Sequence, residues 1–233
     1  SSGLPFLLTL ATLHVRLSEV GVNKTTIGLF VFVTLPYTLK FLWAPIIDSW
    51  KFPFFCRLFG KRKGWMLVTQ FALMISLILL GIADPSQNIW LTAGAATLVA
   101  FFSATQDSVI EAYRVESLEG KKAGVGAGAS VFGYRLGMWV SGAGALYIAT
   151  FFGWFVTYIF MSFFVVIGMV ATLLSREPRY SSLAQKPQSS QKLEKRFHTY
   201  VFSPMKTFVK REDWIIIILF ILFYKFPDTV LNV

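Results

Sequence analysis

The chain has 233 residues, of which 55% are hydrophobic and only 15% are charged, and its formal net charge is +10. This charged fraction excludes an ordinary soluble domain, in which about a quarter of the residues are charged. One cysteine excludes an internal disulfide framework, and the two histidines lie far apart, so we expect neither a metal nor a cofactor.

Long uncharged runs along the chain predict membrane-spanning helices. In chain order, the predicted spans cover residues 3–18, 25–47, 65–83, 89–113, 124–151 and 154–174, and a seventh starts near Trp214. The sequence lacks the alternation of about ten residues that is typical of transmembrane barrels. The expected fold class is therefore an all-α transmembrane bundle.

The order of the spans predicts three parts. Residues 1–174 form an N-terminal six-helix bundle, residues 175–212 form a polar, flexible linker, and residues 213–233 begin a second bundle. Six helices, a linker and a new start are typical of half of a two-half transporter. Since both ends of the sequence are apolar, we expect the chain to be part of a longer protein.

Basic residues predict the orientation of the bundle. The connectors 48–64, 115–123 and 175–212 together hold 16 Lys and Arg residues, whereas Lys24 is the one basic residue in the three connectors of the other side. Lys- and Arg-rich connectors stay in the cytoplasm. We therefore expect a cytoplasmic N-terminus, and we attribute the positive charge to membrane topology rather than to nucleic-acid binding.

The fourth span carries three charged residues on one helical face. Asp107, Glu111 and Arg114 have i, i+4, i+7 spacing. One interpretation is that Arg114 extends toward the membrane surface and pairs with Glu111, which leaves only Asp107 at depth. The interpretation that we favour is that both carboxylates face a polar cavity, where at least one of them takes up a proton.

Other spans also contain ionisable residues. Arg135 lies eleven residues into the fifth span, about 16 Å from its cytoplasmic end, and Asp107 is its natural partner. Lys40 is shallow enough either to extend to the membrane surface or to take part in function. In the seventh span, Lys225 and Asp228 flank Pro227, and a broken, charged helix indicates a site or a gate.

The fifth span is rich in glycine. The pairs Gly124/Gly128 and Gly133/Gly137 have the G-x-x-x-G spacing that favours close helix packing. The sequence contains no nucleophile elbow, paired-histidine motif, P-loop or dinucleotide-binding motif. Charge within the membrane without such motifs favours translocation over catalysis, so we do not expect an enzyme.

The sequence resembles the AmpG-type muropeptide permeases of the major facilitator superfamily. The likeness is carried by the segments SSGLPFLLTLATL (1–13), TIGLF…KFLWAPIID (26–48), GKRKGWMLVTQ (60–70), SATQDSVIEAYRVE (103–116) and GAGASVFGYRLGMWVSG (126–142). The resemblance implies a proton-driven importer of the cell inner membrane that carries N-acetylglucosaminyl-anhydro-N-acetylmuramyl peptides from periplasm to cytoplasm. Its partners would be protons, lipid, the glycopeptide and a C-terminal half of the same transporter.

The resemblance also implies roles for individual residues. Asp107 and Glu111 match the family's acidic pair, a plausible proton-coupling position, and Tyr134 with Arg135 matches its Tyr-Arg pair. The expected substrate or cavity residues are Lys40, Gln106, Tyr134, Arg135, Lys225 and Asp228. The expected gating loop contains Asp48, Lys61, Arg62 and Lys63, although WKFPFFCRLF separates Asp48 from the basic residues.

Several alternatives stay open. Lys40 and Arg135 would also suit the polyanionic cargo of acetyl-CoA or another anionic-metabolite transporter of the superfamily. A non-functional transporter remnant, a regulatory sensor or a subunit would show the same spans. A membrane-embedded acyltransferase would need a histidine beside an acid at depth, and the sequence provides none.

Overall fold

The computed structural model describes residues 3–49, 55–118, 121–178, 214–217, 219–220 and 223. Ten α-helices lie within the first three ranges. They are α1 (Gly3–Thr9), α2 (Ala11–Glu19), α3 (Lys24–Leu29), α4 (Leu35–Leu39), α5 (Ala44–Ser49), α6 (Phe55–Phe59), α7 (Lys61–Ile82), α8 (Ile89–Ser117), α9 (Lys121–Trp139) and α10 (Ala145–Leu174). The described residues include no strand, which confirms the predicted all-α class.

Four helical stretches of the described residues are long and apolar enough to cross a membrane: Lys24–Leu42, Lys61–Ile82, Ile89–Ser117 and Gly124–Leu174. The third and fourth predicted spans coincide with α7 and α8. The first predicted span comprises α1 and α2, which are interrupted at Leu10 (φ −101°, ψ −86°) and are individually too short to cross. The fold is that of a multi-pass membrane protein.

The second predicted span is helical but irregular. Two 3₁₀ turns, Phe30–Thr34 and Lys40–Leu42, separate α3, α4 and α5. Pro36 lies in the first turn of α4, where its missing N–H is tolerated. Most of the side chains between 24 and 42 are exposed or half-buried. Because this stretch is apolar, its exposed face suits lipid or further helices.

The fifth predicted span covers most of α9 and the start of α10, and the sixth lies in the rest of α10. A π-helical turn, Val140–Gly144, connects α9 to α10. A π turn shifts the backbone hydrogen bonds by one residue, and the hydroxyl of Thr12 in α2 donates to the Ser141 carbonyl at 2.9 Å. Within α10, Gly153 has φ +78° and ψ 168°, which breaks the helix between the predicted spans 124–151 and 154–174.

The core lies where α7 packs against α8 and α10, with α1 and α2 alongside. Its fully buried leucines are Leu8, Leu13, Leu17, Leu73, Leu77 and Leu80. The facing surface of α8 presents small residues, Ala95, Ala96 and Ala100, which allow close approach of the helices. Asn88 fixes the start of α8, because its side chain accepts from the backbone N–H groups of Trp90 and Leu91 at 3.1 Å.

The glycine pairs of α9 meet the packing expectation only in part. A Cβ on Gly137 would lie 3.2 Å from the backbone nitrogen of Leu4, so this glycine does permit close approach of α1. Around Gly124, Gly128 and Gly133, no atom of the described neighbours would lie within 4 Å of a Cβ. At these three positions the packing expectation stays a prediction, since no described residue packs against them.

Residues Ser1–Lys186 and Pro187–Val233 form two compact units. Nearly all described residues belong to the first unit. The three-part division at 174 and 212 stays a prediction, and Lys225 and Asp228 of the seventh span lie outside the described residues.

Candidate functional site

The ion pair between Lys40 and Glu111 is the first feature of the candidate site. Lys40 begins the second 3₁₀ turn, and its Nζ lies 3.2 Å from Glu111 Oε1 on α8. The Lys40 side chain is 33% exposed and that of Glu111 58% exposed. Thus Glu111 pairs with Lys40 and not with Arg114. Arg114, almost one turn further along α8, is half-buried.

Asp107 is more buried than Glu111 and lies within electrostatic reach of two tyrosines. Its charge acts on the hydroxyl groups of Tyr37 in α4 and Tyr134 in α9. Asp107 is half-buried, and its Oδ1 is shielded from solvent. Two hydroxyl dipoles beside a carboxylate at this depth form a polar site in an otherwise apolar bundle.

Arg135 does not form the predicted ion pair with Asp107 in the described structure. Successive residues of an α-helix point about 100° apart. Tyr134 is half-buried within electrostatic reach of Asp107, whereas the next residue, Arg135, is exposed. Gln106, also predicted to line the cavity, is fully buried in the helix bundle rather than facing open space.

The predicted gating residues come together at the end of the bundle that carries Asp48, Arg62, Glu116 and Glu177, here called the basic end. Arg62 Nη1 donates to Asp48 Oδ1 at 2.6 Å, and Arg62 Nε donates to Glu116 Oε1 and Oε2 at 3.1 and 3.0 Å. The Arg62 side chain is only 8% exposed. A buried guanidinium with two carboxylate partners is firmly held, and its loss would leave both carboxylates without their cation.

The two flanking lysines also bind locally. Lys61 Nζ donates to the backbone carbonyl of Asp48 at 2.6 Å, and Lys63 Nζ donates to the carbonyl of Leu173 in the last turn of α10 at 3.0 Å. The aromatic insertion after Asp48 therefore leaves Asp48 next to Arg62.

Sequence reasoning missed two carboxylates of this network, Glu116 and Glu177. Glu116 lies in the last turn of α8, outside the i, i+4, i+7 face of Asp107, so helical periodicity did not single it out. Glu177 lies in the predicted flexible linker, yet its carboxylate accepts from the backbone N–H groups of Arg62 and Lys63. The first residues after α10 are therefore anchored, contrary to the prediction.

A cleft of about 510 Å³ connects the two charge clusters. Its charged lining residues are Lys40, Arg62, Glu111 and Glu116, and Ser108 adds a hydroxyl group. Two cations and two carboxylates in one cleft can exchange partners when one group is protonated or a charged ligand enters. The described residues hold no group of three or more His, Cys, Asp or Glu side chains that could bind a metal ion.

The opposite end of the bundle is held by a buried arginine. Arg16 of α2 donates from Nη1 to the carbonyl of Leu80 at 2.8 Å and from Nη2 to that of Ala83 at 2.7 Å. Its Cζ lies 5.3 Å from the ring centre of Tyr158 in α10. Arg16 thus caps the C-terminus of α7 and contacts a third helix.

Comparison with known proteins shows which family and which relatives the sequence is similar to. The sequence profile described as Major Facilitator Superfamily matches residues 2–230. The chain is 36% identical over 229 residues to the anhydromuropeptide permease of Escherichia coli strain K12, an alignment that covers 98% of this chain and 44% of the relative. It is 33% identical over 230 residues to the putative transporter AmpG 3 of Rickettsia typhi, covering 98% of this chain and 55% of the relative.

A third relative, the putative transporter AmpG 1 of Rickettsia conorii, is 29% identical over 238 residues, which cover 100% of this chain and 57% of the relative. The chain thus spans about half the length of the curated relatives that it matches. The relatives carry the names of permeases and transporters rather than of enzymes.

Proposed function

Because this chain belongs to the major facilitator superfamily, we propose that it is part of a proton-coupled secondary transporter that imports anhydromuropeptides (GlcNAc-anhydroMurNAc peptides) into the cytoplasm. The observation that carries the proposal is the identity with the Escherichia coli permease along 98% of the chain. The complete protein would lie in the inner membrane with its N-terminus and basic end in the cytoplasm, which the distribution of Lys and Arg favours.

The mechanism that we propose is alternating access, in which a second helix bundle rocks against this one around a central cavity. On this view the cargo binds near Lys40, Tyr134 and Arg135, whose polar groups are exposed or half-buried. Gln106 would support the α8 wall of this cavity from within, because it is fully buried. Lys225 and Asp228 keep the cavity role expected from the sequence.

Asp107 and Glu111 are the proposed proton-coupling residues. Protonation of Glu111 would remove its attraction to Lys40, which lies 3.2 Å away, and leave a free cation in the cleft for an anionic cargo. Asp107 would be the second proton acceptor, in the polar site that it shares with Tyr37 and Tyr134. Arg62 with Asp48 and Glu116 would form the inner gate, which must separate when the cytoplasmic side opens.

Proton-coupled transport by the full-length protein tests this proposal. In proteoliposomes we expect an anhydromuropeptide gradient to drive proton uptake, and Asp107→Asn with Glu111→Gln to abolish that coupled uptake. Arg114→Gln is the matched control on the same helix, and it should keep coupling within about twofold because Glu111 pairs with Lys40 instead. Unchanged coupling in the double variant would reject the proton role of both carboxylates.

A second cargo class has specific support. The cations of half-buried Lys40 and exposed Arg135 would also suit a nucleotide polyanion such as acetyl-CoA. Competition in the same proteoliposomes distinguishes the two classes: excess acetyl-CoA should leave muropeptide uptake unchanged if the cavity recognises the glycopeptide. Strong inhibition together with acetyl-CoA uptake would favour the anionic-metabolite alternative, and absence of uptake of either cargo would favour a remnant.

A further inference from the structure

The start of α7 is capped by a residue that follows α10. Glu177 Oε1 accepts from the Arg62 backbone N–H at 2.8 Å, and Glu177 Oε2 accepts from that of Lys63 at 3.0 Å. Gly60 precedes the helix with φ +92°, and a Cβ there would lie 2.5 Å from the Glu177 carboxyl carbon. The sequence therefore leaves room for this carboxylate at a helix N-terminus, whose dipole favours negative charge.

Arg62 thereby contacts three carboxylates from three separate parts of the chain. Its guanidinium binds Asp48, at the end of α5, and Glu116, at the end of α8. Its backbone N–H binds Glu177, beyond the end of α10. A movement of Glu177 therefore displaces the helix turn that positions the guanidinium between Asp48 and Glu116.

Two further contacts hold the segment that bears Glu177. The Tyr113 hydroxyl donates to the carbonyl of Arg176 at 2.8 Å. Lys63 Nζ donates to the carbonyl of Leu173 at 3.0 Å. Pro178, directly after Glu177, is buried. The segment 173–178 is thus attached to both α7 and α8 at the basic end, beside the ion pairs of Arg62.

We propose that Glu177 is a positioning residue of the inner gate, through which the segment after α10 controls whether Arg62 stays bound to Asp48 and Glu116. This inference rests on the proposed transport function. When the segment after α10 is pulled by movement of the rest of the transporter, Glu177 leaves the α7 terminus and the Arg62 ion pairs weaken. The gate is thereby coupled to the part of the chain that continues toward residue 187.

The alternative is that Glu177 only stabilises α7. A helix cap would change the protection of the α7 amides but would leave the opening of the gate unaffected. The two roles therefore differ in gate conformation and transport rate rather than in fold stability.

The experiment uses the full-length transporter with Glu177→Gln and Glu177→Ala, and Arg176→Gln as the matched control. The Arg176 side chain is exposed, and its carbonyl, which accepts from Tyr113, survives the substitution. Glu177→Gln keeps the shape and loses the charge, so it remains informative if Glu177→Ala folds poorly. Thermal unfolding in detergent monitors the fold of each variant.

Two measurements are made without cargo. Hydrogen exchange should accelerate at least tenfold at the amides of Arg62 and Lys63 in Glu177→Ala. Labelling of Cys56 by a membrane-impermeant maleimide, resolved by peptide mass spectrometry, should accelerate about threefold in both Glu177 variants, because the half-buried Cys56 thiol lies 3.8 Å from the Lys61 carbonyl at the gate. Arg176→Gln should match the wild type in both measurements.

A third measurement is transport by the same variants. We expect the maximal rate to change at least threefold in Glu177→Gln while KM stays within twofold, since Glu177 does not touch the cargo site. If hydrogen exchange accelerates while Cys56 labelling and the transport rate stay unchanged, Glu177 only caps α7 and the proposal is wrong. If hydrogen exchange also stays unchanged, the contact between Glu177 and the α7 amides is rejected. If the wild type fails to transport muropeptide, the proposed function is wrong. Hydrogen exchange and Cys56 labelling are measured without cargo, so they still test whether Glu177 is coupled to the gate.

Discussion

The ion pair of Lys40 with Glu111 is more exposed than the ion pairs of Arg62, so it is easier to separate. Lys40 and Glu111 are 33% and 58% exposed, so their attraction is screened and contributes at most about 1 kcal/mol to stability. Arg62 is 8% exposed and binds two carboxylates, so it is costly to separate. The first pair is therefore the easier one to separate, whereas separation of the second needs a larger movement.

Removal of the Lys40 charge should affect transport far more than folding. For Lys40→Gln we expect uptake to fall at least tenfold, with an unfolding free energy within about 1 kcal/mol of the wild type because the pair is partly exposed. Uptake in proteoliposomes and thermal unfolding in detergent measure the two effects.

Exchange of the two charges serves as the control for Lys40→Gln. If Lys40→Glu with Glu111→Lys restores the pairing but not the uptake, each charge has its own role in binding or coupling. Normal uptake by Lys40→Gln alone would contradict a role for Lys40 in the cavity.

At the scale of helices, the C-terminus of α7 depends on one side chain from another helix. A helix leaves its last four carbonyl groups without backbone partners. Arg16 binds the carbonyls of Leu80 and Ala83 while its own side chain is buried at 5% exposure. Its position over the Tyr158 ring connects α2, α7 and α10 at the end opposite the gate.

Loss of this cap should destabilise the bundle. We expect Arg16→Gln to lower the unfolding free energy by about 2–4 kcal/mol, because two charge-assisted hydrogen bonds are lost and the Leu80 and Ala83 carbonyls lie away from water. Chemical unfolding in detergent measures the loss. Val15→Ala, next to Arg16 and 37% exposed, should change stability by less than 1 kcal/mol; an equal loss in both variants would show that Arg16 acts only through general packing.

Helix existence could be predicted from the sequence, whereas the contacts between helices could not. Long uncharged runs allow only a helix in lipid, so α7, α8 and the break at Gly153 followed from hydropathy and composition. The sequence did not predict that Lys40 is the partner of Glu111, because this depends on which side of the irregular second span faces α8. Two 3₁₀ turns determine that side, and no periodic sequence pattern predicts where such turns occur.

The same limit explains Arg135 and Glu177. The resemblance drew attention to the Tyr-Arg pair of α9, but it did not predict that Tyr134 is half-buried while Arg135 is exposed. Glu177 lies in a segment whose composition is typical of a linker, and its role arises from a contact with residues 114 positions or more earlier in the chain. Contacts at such separation leave no local signal.

For the whole molecule, the orientation in the membrane is the prediction with the widest consequences. If the basic end is cytoplasmic, Ser86 in the connector between α7 and α8 faces the periplasm. We expect Ser86→Cys in the full-length protein to react with a membrane-impermeant maleimide in spheroplasts, since Ser86 is exposed. Peptide-resolved mass spectrometry measures the reaction.

Cys56, near the gate, provides the internal control for orientation. It should react in inverted vesicles and stay unlabelled in spheroplasts. The reverse pattern for both cysteines would overturn the assigned orientation and, with it, the direction of import.

The length of α8 has a consequence for the medium that surrounds the gate. Its 29 residues extend about 44 Å along the helix axis, and a tilt of about 20° shortens the projection only to about 41 Å. A hydrocarbon core is about 30 Å thick. A helix that starts at the outer surface at Ile89 therefore carries Glu116 past the acyl chains into the headgroup layer. There, dissolved salt reaches the 55% exposed side chain of Asp48 while Arg62 stays buried. We therefore expect ionic strength to act on the gate through this carboxylate rather than through Arg62.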